Sequence, residues 1–137
     1  MSCAFCAIVS GDAPAHVVLQ EPDVIAFLDR RPVFAGHTLV VPREHHSTFG
    51  DLPSGLMSTV LGAAQRVSRT MPGALGVQGT FVAMNNVVSQ SVPHLHVHVV
   101  PRVKGDGLRG FFWPRRAYAG DAEMAQYAGR LRDALAE

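Results

Sequence analysis

The stretch that most restricts this chain is PHLHVHVVP, residues 93–101, in which His94, His96 and His98 recur at intervals of two. Along an extended backbone, side chains alternate between faces, so the three imidazoles share one side while Leu95, Val97 and Val99 share the other. The apolar side must meet a core. The rings then stand about 7 Å apart along the strand, twice its rise per residue. Three readings follow: a polar strand facing solvent, a set of neighbouring metal ligands, or imidazoles doing nucleophilic or acid–base chemistry near neutral pH.

The rest of the chain has to supply the sheet around that strand. AHVVLQ (15–20) and VIAFLD (24–29) are β-rich runs separated by the turn formers Glu21, Pro22 and Asp23, a hairpin pattern. HTLVVP (37–42) reads as a third strand closed by its proline. From Asp51 the spacing changes, and Leu52, Leu56, Val60, Ala64 and Val67 recur at three or four, one face of a helix. Asp51 is placed to cap it, with Pro53 in its first turn, and Pro72 and Gly73 predict its end. GTFVAMN (79–85) and VPHLHVHVV (92–100) read as two more strands joined by the loop NNVVSQS, and residues 121–136 have helical periodicity through Met124, Tyr127, Leu131 and Leu135. One long helix among strand runs cannot build a parallel βαβ series. The expected class is therefore α+β, an antiparallel sheet of about five strands packed by a long central helix and a C-terminal helix.

Bulk properties exclude several functions. The 137 residues, 47% of them hydrophobic, suit one domain over 1–137, with a core over about 3–104 and an extension over 105–137. A net charge of +1 with scattered Lys and Arg offers no basic stripe for nucleic acid. No apolar run is long enough to cross a bilayer, and the start MSCAFCAIV lacks the features of a secretory signal, so the expected compartment is cytoplasmic. There, Cys3 and Cys6 are read as metal ligands or a redox pair rather than a structural disulfide.

HLHVHVV (94–100) resembles the signature of the histidine-triad (HIT) family of nucleotide hydrolases and transferases. CAFCAIVSGDAP, AFLDRRPVFAGHTLVVPREH and QSVPHLHVHVVPR resemble consecutive blocks of the same family, covering most of residues 3–104. The resemblance implies that His96 is the nucleophile toward the α-phosphorus of a nucleotide, forming a nucleotidyl-histidine that water then hydrolyses. It implies further that His98 contacts the phosphate and the bridge to the leaving group, and that His37 supports the nucleophile. Ser91 and the amides of Ser89 and Gln90 match the family's phosphate cradle, although Ser89 stands where glycine is usual. Asn85, or its neighbour Asn86, matches a phosphate-binding asparagine. Asp29 matches an acid that accepts from ribose hydroxyls, and Phe5, Ile8 and Phe27 match a base sandwich. Arg30 departs from the apolar residue usual at the next base position.

The resemblance extends to the family's zinc-bearing, bacterial-type branch. There the Cys3-x-x-Cys6 pair would be completed by His45, with His46 the near alternative, and by His94, in a structural zinc site. The implied activity is hydrolysis of purine nucleoside 5'-phosphoramidates or related conjugates, with dinucleoside polyphosphate (Ap4A-type) hydrolysis or phosphorolysis as the alternative. A metallohydrolase using zinc on the histidine row is a further reading. The implied assembly is a homodimer, in which FFWPRR (111–116), with Arg115 or Arg116 near a phosphate, is expected either to shape the neighbouring site or to anchor the last helix. His16 belongs to no motif and is expected on the surface.

Overall fold

The turn formers between the first two β-rich runs do produce a hairpin. In the computed structural model, which describes residues 2–109 and 115–136, β1 (Val17–Gln20) pairs antiparallel with β2 (Val24–Leu28). β2 pairs with β3 (Thr38–Pro42), β3 with β5 (Val97–Arg102), and β5 with β4 (Gly79–Ala83). The order β1-β2-β3-β5-β4, antiparallel throughout, is the expected α+β sheet. The histidine strand therefore lies inside it. Pro101 sits beyond the last β3 partner, Thr38 opposite Val99, so its missing N–H interrupts no bond to β3.

Both faces of the sheet are covered. Val24 and Ala26 of β2, Val40 of β3, and Leu95, Val97 and Val99 pack on one face with Val60, Ala63, Ala64, Val67 and Met71 of the long helix α2 (Ser54–Leu75). Ile25, Phe27, Leu39 and Val41 point the other way and form a second cluster with Phe5. Phe5 belongs to a short helix, α1 (Ala4–Ser10), that periodicity does not reveal.

Three expectations need correction. The helix α2 runs through Pro72 and Gly73 and ends at Gly76, whose φ of 67° is left-handed and whose N–H bonds to the Pro72 carbonyl at 3.0 Å. Burial of Met71 and the placement of Leu75 against Gly36 outweigh the proline's lost donor: at Gly36, with φ of 101°, an added Cβ would stand 2.7 Å from Leu75 Cδ1. Asp51 does not cap α2. It closes a 3-10 turn, Phe49–Asp51, where its Oδ2 accepts from Thr48 N at 3.1 Å and Thr48 Oγ1 at 2.8 Å.

The third correction concerns the histidine row. The strand begins only at Val97, so His94, Leu95 and His96 precede it in irregular backbone. There the Leu95 N–H bonds outside the sheet, to the His46 carbonyl at 2.7 Å, and His94 N–H turns back to Val92 O at 2.8 Å. Alternation survives all the same: Leu95 is buried toward α2, and the histidines lie on the α1 side.

Residues to Asp106 form one compact unit and those from Gly107 a second, which contains α3 (Asp121–Leu135). The ends of α3 suit its dipole, with Asp121 and Glu123 in the first turn and Arg132 in the last. Phe111, Phe112 and Trp113 of FFWPRR lie outside the described residues; Arg115 and Arg116 are described and exposed.

Candidate functional site

Seven residues of α1 would not hold a helix in water, so its position comes from what it is tied to. Phe5 meets Phe27 edge-on with ring centroids 5.4 Å apart, and His94 and His96 in the same manner at 5.9 and 5.0 Å. The N-cap is Cys3, whose Sγ accepts from Cys6 N at 3.4 Å. This turn brings both sulfurs to the histidines: Cys3 Sγ lies 3.5 Å from His94 Nδ1, and Cys6 Sγ lies 3.6 Å from the same atom and 3.4 Å from His45 Nδ1.

One donor atom from each of Cys3, Cys6, His45 and His94 falls within 4.8 Å of all the others. The chemistry of the set suits a metal. His94 Nε2 sits 2.8 Å from the Pro42 carbonyl, which can only accept, so the ring's proton is there and the Nδ1 lone pair is turned toward the sulfurs. Burial, with the hydrogen bond and charge of Cys3, pushes the Cys6 thiol up, so two adjacent thiolates are disfavoured unless a cation offsets them. Burial also lowers His94, keeping it neutral as a ligand must be. His46 stands apart, with Nε2 3.3 Å from Glu44 Oε1.

The other two histidines of the row lie outside that cluster. His96 is 2% exposed, and its Nδ1 lies 2.7 Å from the His94 carbonyl. That nitrogen must donate, which leaves Nε2 with the free lone pair in the neutral ring. His37 Nδ1 accepts from Val33 N–H at 3.0 Å, so its proton is on Nε2, 2.9 Å from His98 Nδ1. His98 must then carry its own proton on Nε2. Backbone amide, His37 and His98 thus form a relay ending in the N–H of His98 Nε2, the His96 and His98 rings being 4.9 Å apart between centroids.

Burial, reinforced by His96 and His37, pushes His98 down to about 4, and burial lowers His37 against the pull of Asp29. Both rings are neutral at pH 7. Asp29 Oδ2 is 3.7 Å from His37 Nε2, and Oδ1 accepts from Arg31 N at 2.9 Å. Although Asp29, His37 and His98 lie within metal-binding reach of one another, the Val33 amide denies His37 Nε2 a lone pair. The group works as a hydrogen-bond relay. His37, expected to support the nucleophile, makes its hydrogen bond to His98.

His96 and His98 open on a cavity of about 370 Å³. Phe5, Ile8, Phe27 and Leu39 give it apolar walls, and Asp29, Ser91, His96 and His98 are its polar groups together with Arg30 and His16. Phe5 and Phe27 are core and cavity wall at once. None of the four Cys/His cluster residues lines it, so cluster and cavity are separate sites.

Asn85, Ser89 and Gln90 lie on the loop leading to Ser91 but not on the cavity wall. The Asn85 side chain donates to Ser89 O at 3.2 Å, and Asn86 Oδ1 accepts from Phe49 N at 2.7 Å. Ser89 has φ of 62°, the left-handed conformation that a glycine would take more easily, and Val87 has φ of 68°. His16 is exposed, as expected, yet lines the cavity; Leu28 N–H bonds its carbonyl at 3.0 Å. Only this cross-strand pairing reveals it, because nothing in its own neighbourhood in sequence marks it.

Comparison with known proteins gives a consistent picture. A family model, the HIT domain, matches residues 10–105. A HIT-like protein of Methanocaldococcus jannaschii is 38% identical over 107 residues, 77% of this chain and 82% of the relative. The adenosine 5'-monophosphoramidase hnt1 of Schizosaccharomyces pombe is 34% identical over 116 residues, 83% of this chain and 84% of that protein. Among solved structures, a HIT family member from Bacillus subtilis aligns with a TM-score of 0.88 at 28% identity, covering 97% of this chain and 96% of that one. A zinc-bound histidine triad family protein from Mycobacterium smegmatis aligns with a TM-score of 0.75 at 38% identity, covering 95% and 98%.

Proposed function

This chain belongs to the HIT family, and from that premise we propose that it hydrolyses purine nucleoside 5'-phosphoramidates or related nucleotide conjugates through a covalent intermediate on His96. The observation that carries the reading is the hydrogen bond from His96 Nδ1 to the His94 carbonyl. It leaves Nε2 as the ring's one free nitrogen, on a residue that lines a nucleotide-sized cavity. An imidazole nitrogen attacks phosphorus at neutral pH and departs readily once bonded to it, so one difficult displacement becomes two easier ones.

In the first step Nε2 of His96 bonds to the α-phosphorus as the bond to the leaving nitrogen breaks, and that nitrogen takes a proton from solvent and departs as the amine. His98 supplies an N–H to a phosphoryl oxygen and to the bridging atom, donated without net charge because its environment keeps it neutral. In the second step water bonds to phosphorus and gives up a proton to solvent as the bond to His96 Nε2 breaks, which returns the neutral ring. Ser91 offers a hydroxyl to the phosphate. Asp29, with Oδ1 engaged by Arg31, has Oδ2 left for the ribose hydroxyls, and Phe5, Ile8 and Phe27 enclose the base.

A zinc ion is the metal that Cys3, Cys6, His45 and His94 would hold, and with four protein ligands it would serve the fold. Support comes from the donor set and from the zinc-bound relative. Its effect on the chemistry is indirect, since the carbonyl that orients His96 belongs to His94.

The test is mass spectrometry of protein quenched during turnover of a labelled adenosine or guanosine phosphoramidate. The expected result is an acid-labile nucleotidyl adduct on His96 that His96→Asn lacks. Undiminished turnover by His96→Asn would refute the assignment.

A further inference from the structure

The segment 45–49 touches two places that the proposed chemistry treats separately. At one end His45 belongs to the Cys/His cluster, with Nδ1 3.4 Å from Cys6 Sγ. At the other it grips the loop preceding Ser91. The Ser47 carbonyl accepts from Gln90 Nε2 at 2.6 Å, and the Phe49 N–H donates to Asn86 Oδ1 at 2.7 Å. Between these, His46 O accepts from Leu95 N at 2.7 Å.

The loop needs such a grip. Val87 and Ser89 both hold positive φ, unfavourable for a side chain bearing a Cβ and costliest for β-branched valine. Backbone in that region persists only where its surroundings over-determine it. Gln90 provides the determination: its Oε1 accepts from Val87 N at 3.0 Å while its Nε2 binds Ser47 O, so one side chain closes the turn and fastens it to the strap. Without these bonds Val87 and Ser89 would relax toward negative φ, and Ser91, which follows Gln90, would leave its place on the cavity wall.

We propose that Gln90 is a positioning residue that ties the phosphate-side loop to segment 45–49, so that metal occupancy at His45 is felt at Ser91. The inference rests on the reading of Ser91 as a phosphate contact. It assigns Gln90 a brace where the family resemblance made it part of the phosphate cradle.

The first experiment is amide hydrogen exchange on zinc-loaded and chelated protein. Chelation is expected to speed exchange at Val87 and Gln90. Gln90→Met keeps the side chain's length but loses its bonds, and there both amides should exchange fast in either state while zinc content is unchanged. Unaltered exchange at Val87 on chelation, or a metal-dependent change surviving in Gln90→Met, overturns the proposal.

Where chelation unfolds the chain, a double-mutant cycle on folded, purified variants tests the same coupling. Gln90→Met and His45→Ala should each lower kcat/KM by about tenfold, chiefly through KM, the scale on which misplaced contacts weaken a preorganised site. Together they should also lower it by about tenfold, since residues acting through one element are not additive, whereas independent factors multiplying to about a hundredfold would refute the coupling. Failure to turn over any nucleotide conjugate would sink the functional reading alone, because exchange still judges the brace.

Discussion

The two faces of the sheet share strands and alternation but not covering. One lies under the 22 residues of α2, which bury five of their side chains with the inward residues of β2, β3 and β5. The other has the seven residues of α1, which bury only Phe5. The thick side is a conventional core. The thin side leaves a cavity, accommodates His94, His96 and His98 of the histidine row and ties its short helix down with cysteines. A face that is only partly covered can expose reactive nitrogen to a ligand, and a face that is fully covered can hold the strands rigid while it does so.

The sharpest separation of the two should come from His96→Asn. Activity is expected to fall by at least about a thousandfold, as for loss of a nucleophile, while the melting temperature stays within a few degrees. Steady-state kinetics beside calorimetry checks both halves. A large drop in stability would mean that the His96 ring holds the fold as well as the chemistry.

Removing zinc, or replacing Cys3 by Ser, should cost several kcal/mol, as structural sites do. The loss should be unequal, with amides of residues 4–10 losing exchange protection before those of α2. Simultaneous loss on both faces would break the contrast. On the thick side, Leu95→Ala should cost about 2–5 kcal/mol in urea titrations by opening a void under α2, and what activity remains should keep its KM.

The fourth effect is pH dependence. His98 titrates near 4 in the folded chain against an ordinary value of 6.5, so between these values the unfolded chain binds the proton more readily. The neutral ring's contribution is complete above pH 6.5 and is lost as pH falls toward 4. Urea midpoints should decline over that window in the wild type and more gently in His98→Gln. The smallest effect is expected from Ser89→Gly, which relieves a left-handed serine and should raise stability by about 1 kcal/mol or less. A loss instead would mean that the Ser89 side chain matters more than its backbone.

How far these regions are legible in the sequence varies with the range of the forces that make them. β2 and β3 are legible because VIAFLD and HTLVVP are short β-rich runs bounded by turn formers or a proline, and that composition is local. α1 is not, since a helix of two turns held by Phe5 and two sulfurs has too few residues to show a period. β5 starts later than alternation predicts because the His46 carbonyl, far away in sequence, captures the Leu95 amide. α2 ends later than its proline predicts because Leu75 has a tertiary partner in Gly36.

The candidate site divides in the same way. Cys3, Cys6, His94, His96 and His98 stand out by type and spacing and His37 only through the family resemblance; the structure places Cys3, Cys6 and His94 in one cluster and pairs His37 with His98. That Asn85, Ser89 and Gln90 sit off the cavity wall while His16 and Arg30 sit on it cannot be read from spacing.

What the sequence determined by itself is parity. Tetrahedral carbon puts every second residue of an extended backbone on one side, so residues 94, 96 and 98 are set to share a face. What only the tertiary structure decided is which nitrogen is free in His94 and in His98, the rings whose partners lie far off in the chain. That depends on partners 52 residues away for His94 and Pro42, 61 for His37 and His98, and 91 for Cys3 and His94. A hydrogen-bond partner fixes a tautomer only once the chain has folded the two together.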